Sequence, residues 1–171
     1  MHFLKQYNET VVKYDLINKF KYKSTTKLPK LEFLTLSFKF KKCDLKLLIT
    51  SLAALELITF KKGSLTKSKV SNVSLKIRKG QPVGCKITLR KTQMNSVLFK
   101  LISKLLTKSD LKICNSNNLF SIKIAQILVF SELEKNYKFF RNLSDLNINI
   151  KTTTCSYQEF IFLIKSYKLL I

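Results

Sequence analysis

Short segments in which apolar and polar residues alternate most constrain how this chain can fold. In the first of them Leu34, Leu36 and Phe38 alternate with Thr35 and Ser37. Because successive side chains of a strand point to opposite faces of a sheet, each such strand would bury one face and leave the other in water. Strands with this pattern typically pair antiparallel. The alternating segments are residues 33–40, 85–90, 146–153 and the beginning of 120–129.

Other segments carry apolar residues with the period of a helix. In residues 92–107 they recur at Met94, Val97, Leu98, Leu101, Ile102 and Leu105. Ser156 and Glu159 have the spacing of a capping box, which predicts the start of a final helix. The buried face of that helix would hold Phe160, Leu163, Ile164 and Tyr167.

Two further helices are predicted from weaker patterns. Asp44 can serve as an N-cap, and the stripe that follows it is Leu45, Leu48, Ile49, Leu52 and Leu55. Residues 11–20 are weakly amphipathic. Helices between antiparallel strands cover the buried face of a sheet. The chain is therefore predicted to form one α+β, two-layer domain over residues 1–171, with helices packed on one face of an antiparallel sheet.

Positive charge is the second strong constraint. The chain has 32 lysines and arginines against 10 acidic residues, a formal charge of +22. A folded protein this basic repels itself unless an anionic partner neutralises it. Nucleic acid, an anionic membrane surface and an acidic protein are the candidate partners. Because the cations are spread along the whole length, a domain lying among phosphates is favoured over a neutral domain with a basic tail.

Several classes of function are disfavoured by what the sequence contains. The sole histidine is His2, and no nucleophile–base pair is recognisable, so no enzyme, metal site, cofactor or small-molecule substrate is expected. The most apolar run, LLITSLAALELITF at 47–60, is too short to cross a bilayer of about 30 Å. The N-terminus has neither a secretory signal nor a transit-peptide composition. Four buried thiols are expected at Cys43, Cys85, Cys114 and Cys155.

The polar side of the predicted sheet is a candidate RNA-binding surface. In residues 85–90 it carries Lys86, Thr88 and Arg90. Ammonium, hydroxyl and guanidinium groups donate hydrogen bonds, and phosphate and ribose oxygens accept them. The alternative is an ordinary solvent-exposed sheet face.

Two of the three glycines and one of the two prolines fall together in GQPVG at 80–84. A phosphate-binding loop is excluded, because the glycines are one residue too close and a strand follows instead of a helix. Residues 66–79 are small, polar or basic, which predicts a two-stranded hairpin that projects from the sheet and faces a polyanion. An ordinary exposed hairpin is the alternative.

The segment KIRKGQPVGCKITLR at 76–90 resembles K-I-R-x-G-x-P-I-G-C-K-V-T-L-R, the signature of the bacterial-type large-subunit ribosomal protein five family. Further segments in the same order are similar to other motifs of that family. They are FKYKSTTKLPKLEFLTLS at 20–37, FSIKIAQILVFSEL at 120–133 and LNINIKTTT at 146–154. The resemblance thus covers most of the chain.

This resemblance implies a structural role in the central protuberance of the large ribosomal subunit. The implied partners are 5S rRNA and other large-subunit rRNA, P-site tRNA, neighbouring ribosomal proteins and a protein of the small-subunit head. The implied rRNA-binding residues are Ser37, Lys61, Lys86, Thr88 and Arg90. A projecting loop at about 67–84 would reach toward the tRNA elbow, with Lys67, Lys69, Lys76, Arg78, Lys79, Gly80, Pro82 and Gly84. A free basic RNA-binding or ribosome-maturation factor is the alternative function.

The chain departs from the family pattern at several positions. Ser37 stands where the family has Asn, Lys61 where it has Gln, and FKFK at 38–41 where it has M-G-V-G. Most of these changes add charge. Abundant Lys, Asn, Ile and Phe suggest an AT-rich gene, for which a mitochondrial location is expected, with plastid or bacterial cytoplasm as alternatives.

Overall fold

The computed structural model describes residues 3–40, 44–105, 112–116, 118–125 and 127–169. Within these residues one antiparallel sheet has the strand order β2-β3-β1-β6-β5-β4. Its strands are β1 Leu31–Lys39, β2 Ser64–Lys67, β3 Pro82–Leu89, β4 Lys112–Ser116, β5 Leu119–Ile124 and β6 Leu146–Thr152. The side chains at 104–105 and in β4 lie outside the described part of the structure.

The pairing register places apolar side chains in rows on one face of the sheet. Leu36 of β1 lies opposite Ile87 of β3 and Ile148 of β6, and Ile122 of β5 continues the row. All four are at most 2% exposed. A slip of one residue would move every such side chain to the solvent face, so the alternation in the sequence fixes this register.

Helices cover the apolar face. The N-terminal helical segment consists of α1 Phe3–Tyr7, a π-helical turn Asn8–Val12 and α2 Lys13–Lys19. The others are α3 Leu45–Thr59, α4 Lys91–Leu105, α5 Ser131–Glu134, α6 Tyr137–Phe140 and α7 Tyr157–Ser166. α3 contacts β3, and α4 contacts β1. The predicted α+β, two-layer class with an antiparallel sheet is confirmed.

The two strongest helix predictions are confirmed. In α7 the Ser156 hydroxyl accepts a hydrogen bond from the Glu159 N–H, and the Glu159 carboxylate accepts one from the Ser156 N–H. The α4 stripe is buried at Met94, Val97, Leu98 and Leu101 and half-buried at Ile102. The side chain of Leu105, the last predicted member of the stripe, and residues 106–107 of the predicted segment lie outside the described part of the structure.

The predicted buried stripe of α3 is partly wrong. Leu48 and Leu55 are buried, but Leu45 and Ile49 are each 68% exposed. Ser51, Ala54, Ile58 and Thr59 are buried instead. Because α3 is apolar on nearly every side, its sequence period does not select one face. Asp44 precedes the helix as expected, but its side chain forms no capping hydrogen bond.

The predicted strand 120–129 is correct only in its first half. β5 ends at Ile124, and a 3₁₀ turn spans Ile127–Val129. The buried residues after the strand are Ile127 and Phe130, which are three positions apart and match a helical turn better than an alternating strand.

The expectation of four buried thiols is wrong at Cys155, which is exposed at the loop before α7. Cys85 is buried and free, and burial raises the pKa of its thiol, while the Ser51 hydroxyl lies 3.1 Å from its sulfur. Both residues sit at the α3–β3 contact. Cys43 and the side chain of Cys114 lie outside the described residues.

Candidate nucleic-acid interface

The sheet face opposite the helices carries polar side chains in aligned rows. By the pairing register, one row runs from Ser64 through Lys86, Ser37 and Asn147 to Lys123. Lys86 and Lys123 are exposed, and Ser37 is only 9% exposed. The predicted site residues Ser37 and Lys86 are therefore direct cross-strand neighbours, although 49 positions of sequence separate them.

A second row holds Thr88, Thr35 and Asn149. Thr88 of β3 lies opposite Thr35 of β1, which lies opposite Asn149 of β6. Lys61 joins this end of β3, because its Nζ donates a hydrogen bond of 2.9 Å to the main-chain oxygen of Thr88. The predicted residues Lys61, Lys86 and Thr88 are thus gathered on one part of the sheet.

Arg90, the residue after β3, is exposed and stacks on an aromatic ring. Its guanidinium carbon lies 5.7 Å from the centre of the Phe33 ring, and Lys151 Nζ lies 5.6 Å from the same ring. Phe33, Lys151 and Asn149 were not among the predicted site residues. The alternation that placed Thr35 and Ser37 on the polar face also places Phe33 and Asn149 there, so the signal was present in the sequence.

Carboxylates neutralise one side of this polar face and not the other. At the β5–β6 side, Lys123 lies 2.6 Å from Asp145, and Lys151 lies 3.4 Å from Glu32. At the β3 side, the described residues offer no carboxylate partner to the exposed cations. Those cations are Lys39, Lys61, Lys67, Lys86 and Arg90. Uncompensated positive charge therefore gathers where the predicted rRNA-binding residues lie.

Residues 68–81 form the hairpin that connects β2 to β3. The Ser68 N–H bonds the Gln81 carbonyl at 2.8 Å, and Asn72 and Ile77 exchange both main-chain hydrogen bonds farther along. The cations predicted to face tRNA are all exposed, at Lys67, Lys69, Lys76, Arg78 and Lys79. The structure places Lys69, Lys76, Arg78 and Lys79 on this hairpin and Lys67 at the end of β2, and the projection of the hairpin toward a ligand stays a prediction.

The glycines and the proline of this segment occupy different settings. Gly80 lies in the hairpin at a φ of 89°, where side chains other than glycine are disfavoured. Pro82 is the first residue of β3, a position that suits proline in a strand. Gly84 is buried within β3 between Lys39 of β1 and Thr66 of β2. Gly84 was predicted to belong to the tRNA-facing loop. It is instead a residue of β3 that pairs with β1 on one side and with β2 on the other.

The described residues contain neither a candidate metal site nor a candidate membrane-spanning helix. No group of three or more His, Cys, Asp or Glu side chains could hold a metal ion. Among the helices that the structure describes, none has the length and apolar character required to cross a membrane.

Comparison with known proteins identifies relatives along nearly the whole chain. Large ribosomal subunit protein uL5m of Reclinomonas americana is 34% identical over 177 residues, covering 99% of this chain and 97% of that protein. Large ribosomal subunit protein uL5 of Blochmanniella floridana is 31% identical, covering 96% and 90%. The uL5 protein of Borreliella afzelii is 34% identical, covering 91% and 88%.

No protein-family profile matches the chain. The similarity to individual proteins is nevertheless above 30% identity and nearly end to end. The protein therefore belongs to the uL5 family of large-ribosomal-subunit proteins, which is a structural and not an enzymatic family.

Proposed function

We propose that this protein binds 5S rRNA and adjacent large-subunit rRNA in the central protuberance through the β3 side of its polar sheet face. The observation that carries the proposal is the group of cations there without carboxylate partners, beside the hydroxyls of Ser37 and Thr88. Folded RNA presents phosphates and 2′-hydroxyls at close spacing, which such a surface can meet. Family membership supports the ribosomal setting.

The hairpin is the second part of the proposal. Its exposed lysines and Arg78 reach toward the elbow of P-site tRNA, and the protein also joins a bridge to a protein of the small-subunit head. The support is the composition of residues 67–84, which carry five exposed cations and no acidic residue. Main-chain hydrogen bonds within 68–81 give these cations a common framework.

Cation binding to RNA phosphates releases counterions, so affinity is expected to fall steeply with salt. The logarithm of the association constant changes by about −0.7 to −0.9 per decade of salt for each phosphate neutralised. With Lys61, Lys86 and Arg90 as the central contacts, the slope for rRNA is expected to exceed about 2 in magnitude.

A mitochondrial ribosome is the proposed location. The similarity to uL5m of Reclinomonas americana supports it, and the relatives in bacteria keep a bacterial ribosome as the alternative. Fractionation of source cells, followed by immunodetection in the mitochondrial pellet or the cytosol, distinguishes the two.

Sedimentation of native ribosomes tests the proposal. The protein is expected to sediment with the large subunit at low and moderate salt and to be released at higher salt. Density maps of those particles should place β3 against rRNA. If the protein is found only with precursor particles or with free RNA, the proposal is wrong and the chain acts as an RNA-binding or maturation factor.

A further inference from the structure

A groove of about 620 Å³ runs between the hairpin and the polar face of the sheet. Thr35, Ser37 and Asn149 line it on the sheet side, and Val70 and Leu75 line it on the hairpin side. Its size lies within the range of about 300–1,000 Å³ that sites for small ligands occupy. The hairpin thus encloses part of the surface proposed to bind rRNA.

The groove combines apolar and polar side chains, and the further residues that line it include Phe38, Phe40, Val83, Ser71 and Asn72. On the sheet wall, the side chains of Thr35, Ser37 and Asn149 have no protein hydrogen-bond partner in the described part of the chain. On the hairpin wall, Val70 is 74% exposed and Leu75 is 43% exposed. A matching ligand would have an apolar flat face for Val70 and Leu75 and hydrogen-bonding edges for Thr35, Ser37 and Asn149.

The cations of the groove select for negative charge. The exposed residues Lys39 and Lys86 are among those that line the groove, and no acidic residue does. Neither lysine has a carboxylate partner among the residues described. A planar heterocycle joined to a phosphate therefore complements both walls and these lysines, whereas an apolar peptide side chain would leave the polar wall unpaired.

We propose that this groove receives one unstacked nucleobase of ribosomal RNA, with its phosphate at Lys39 and Lys86. The base lies with its face against Val70 and Leu75 and its edge toward Asn149. Proteins read unpaired bases of RNA loops and bulges through contacts with the base face, most often from aromatic or guanidinium planes, and through hydrogen bonds to the base edges; here aliphatic side chains supply the contact with the face. The inference rests on the proposed rRNA-binding function and adds the form of RNA that is bound.

Ribosomal RNA is favoured over tRNA as the source of the base because of the sheet wall. Ser37 and Lys86 belong both to the groove and to the proposed rRNA-binding surface. The exposed cations Lys79 and Arg78, proposed to face tRNA, do not line the groove. A base held there is therefore attached to the RNA that covers the sheet.

A pair of RNA hairpins tests the proposal with the full-length protein. One carries a single bulged 2-aminopurine in its stem, and the other is the same stem fully paired. We expect the protein to bind the bulged hairpin about fivefold or more tightly and to change the 2-aminopurine fluorescence, since apolar contact with a base face does not depend on which base is bound. Leu75→Ser and Asn149→Ala are each expected to reduce that preference about threefold or more.

The chain offers matched control positions on both walls. Val73 is on the same hairpin, 92% exposed, and does not line the groove, and Asn147 is on the same strand face as Asn149, two residues away. Val73→Ser and Asn147→Ala should keep the full preference for the bulge. Thermal melting of all four variants confirms that they are folded.

The outcomes separate this inference from the proposed function. If the protein binds both hairpins equally tightly, or if the control variants lose the preference as much as the groove variants, the groove inference is overturned and rRNA binding stands. If the protein binds neither hairpin but binds 5S rRNA, the groove inference alone fails, and if it binds neither the hairpins nor 5S rRNA, the proposed function fails as well. Displacement of the bulged hairpin by tRNA as effectively as by unlabelled bulged RNA would overturn the assignment to rRNA.

Discussion

The side chain of Lys61 donates a hydrogen bond of 2.9 Å to the main-chain oxygen of Thr88. This contact joins the residues after α3 to the end of β3, across 27 positions of sequence. An ammonium group has three donors, so two remain for a ligand. Lys61 is therefore held beside Thr88 at the end of β3 while keeping the capacity to contact a phosphate.

Replacement of Lys61 by the glutamine typical of the family should lower the salt dependence of rRNA binding. We expect Lys61→Gln to reduce the magnitude of the log–log salt slope by about 0.7–0.9, since one phosphate contact is lost. Filter binding to 5S rRNA between low and moderate salt measures the slope. Lys46→Gln is the control, because Lys46 is exposed at the start of α3 and not on the polar face. Equal changes in both variants would contradict the prediction.

Arg90 and Lys79 are expected to serve different RNAs. Arg90→Ala removes a guanidinium that stacks on Phe33 at the proposed rRNA surface, so it should weaken rRNA binding by about 1 kcal/mol or more. Lys79→Ala, in the exposed hairpin, should leave rRNA affinity within about twofold and weaken tRNA engagement in assembled ribosomes. Parallel titrations with 5S rRNA and tRNA binding to reconstituted subunits provide the two measurements. Equal losses of rRNA affinity would refute this division of roles.

The sheet could be predicted from the sequence because its alternation is strict and its burial is one-sided. Leu34, Leu36 and Phe38 are all fully buried, as their spacing predicted. β2, with only four residues, and β4 were missed, since such short strands carry too few alternations to be recognised. Their positions depend on pairing with β3 and β5, which is long-range information.

Tertiary packing determines where α3 ends and where the groove forms, and the sequence pattern predicted neither. At the end of α3, Phe60 is 79% exposed at a φ of 54°, where glycine is the usual residue. Nothing in the apolar run LLITSLAALELITF marks that stop. The candidate site could likewise be predicted only in part. The composition of residues 66–79 predicted a basic hairpin but not the groove that this hairpin forms with Thr35 and Asn149. A cavity between segments distant in sequence has no local signature.

Gly84 and Gly80 should respond differently to alanine. At Gly84 a Cβ would clash with the main-chain oxygen of Phe38 and would lie 2.9 Å from Thr66 Oγ1. Gly84→Ala is therefore expected to destabilise the protein by about 2 kcal/mol or more, since a neighbouring strand must move. At Gly80 the space is open and only the φ of 89° opposes a side chain. Gly80→Ala should cost about 1 kcal/mol.

Urea unfolding of both glycine variants measures these costs. The prediction fails if Gly80→Ala is the more destabilising change, because backbone strain would then outweigh the contact at Gly84. Binding to 5S rRNA at a temperature where both variants are folded separates the stability effect from any effect on the RNA surface.

Glu132 should make the stability of the protein depend on pH. Its carboxylate lies 2.5 Å from Lys100 Nζ, with both side chains about one quarter exposed. Burial alone would raise the pKa of Glu132. The hydrogen bond from Lys100, further hydrogen bonds and the attraction of the Lys100 charge outweigh the effect of burial, so the pKa lies below its ordinary value. The ionised form is thus stabilised in the folded state. Its contribution is present above the unfolded pKa of about 4.3 and is lost as pH falls through the lower folded pKa.

Glu132→Gln removes this titration and should reduce the free energy of unfolding by about 1 kcal/mol at pH 7. The difference from the unmodified protein should shrink toward zero as the pH falls from about 4.3 through the lower folded pKa, because the native carboxylate then becomes protonated as well. Urea unfolding at a series of pH values measures it. Glu134→Gln is the control, because Glu134 is exposed in the same helix α5 and forms no ion pair among the described residues. The free energy of unfolding of Glu132→Gln could instead stay below that of the unmodified protein by the same amount from pH 7 to pH 3. That result would show that the lost interaction does not depend on the charge of Glu132.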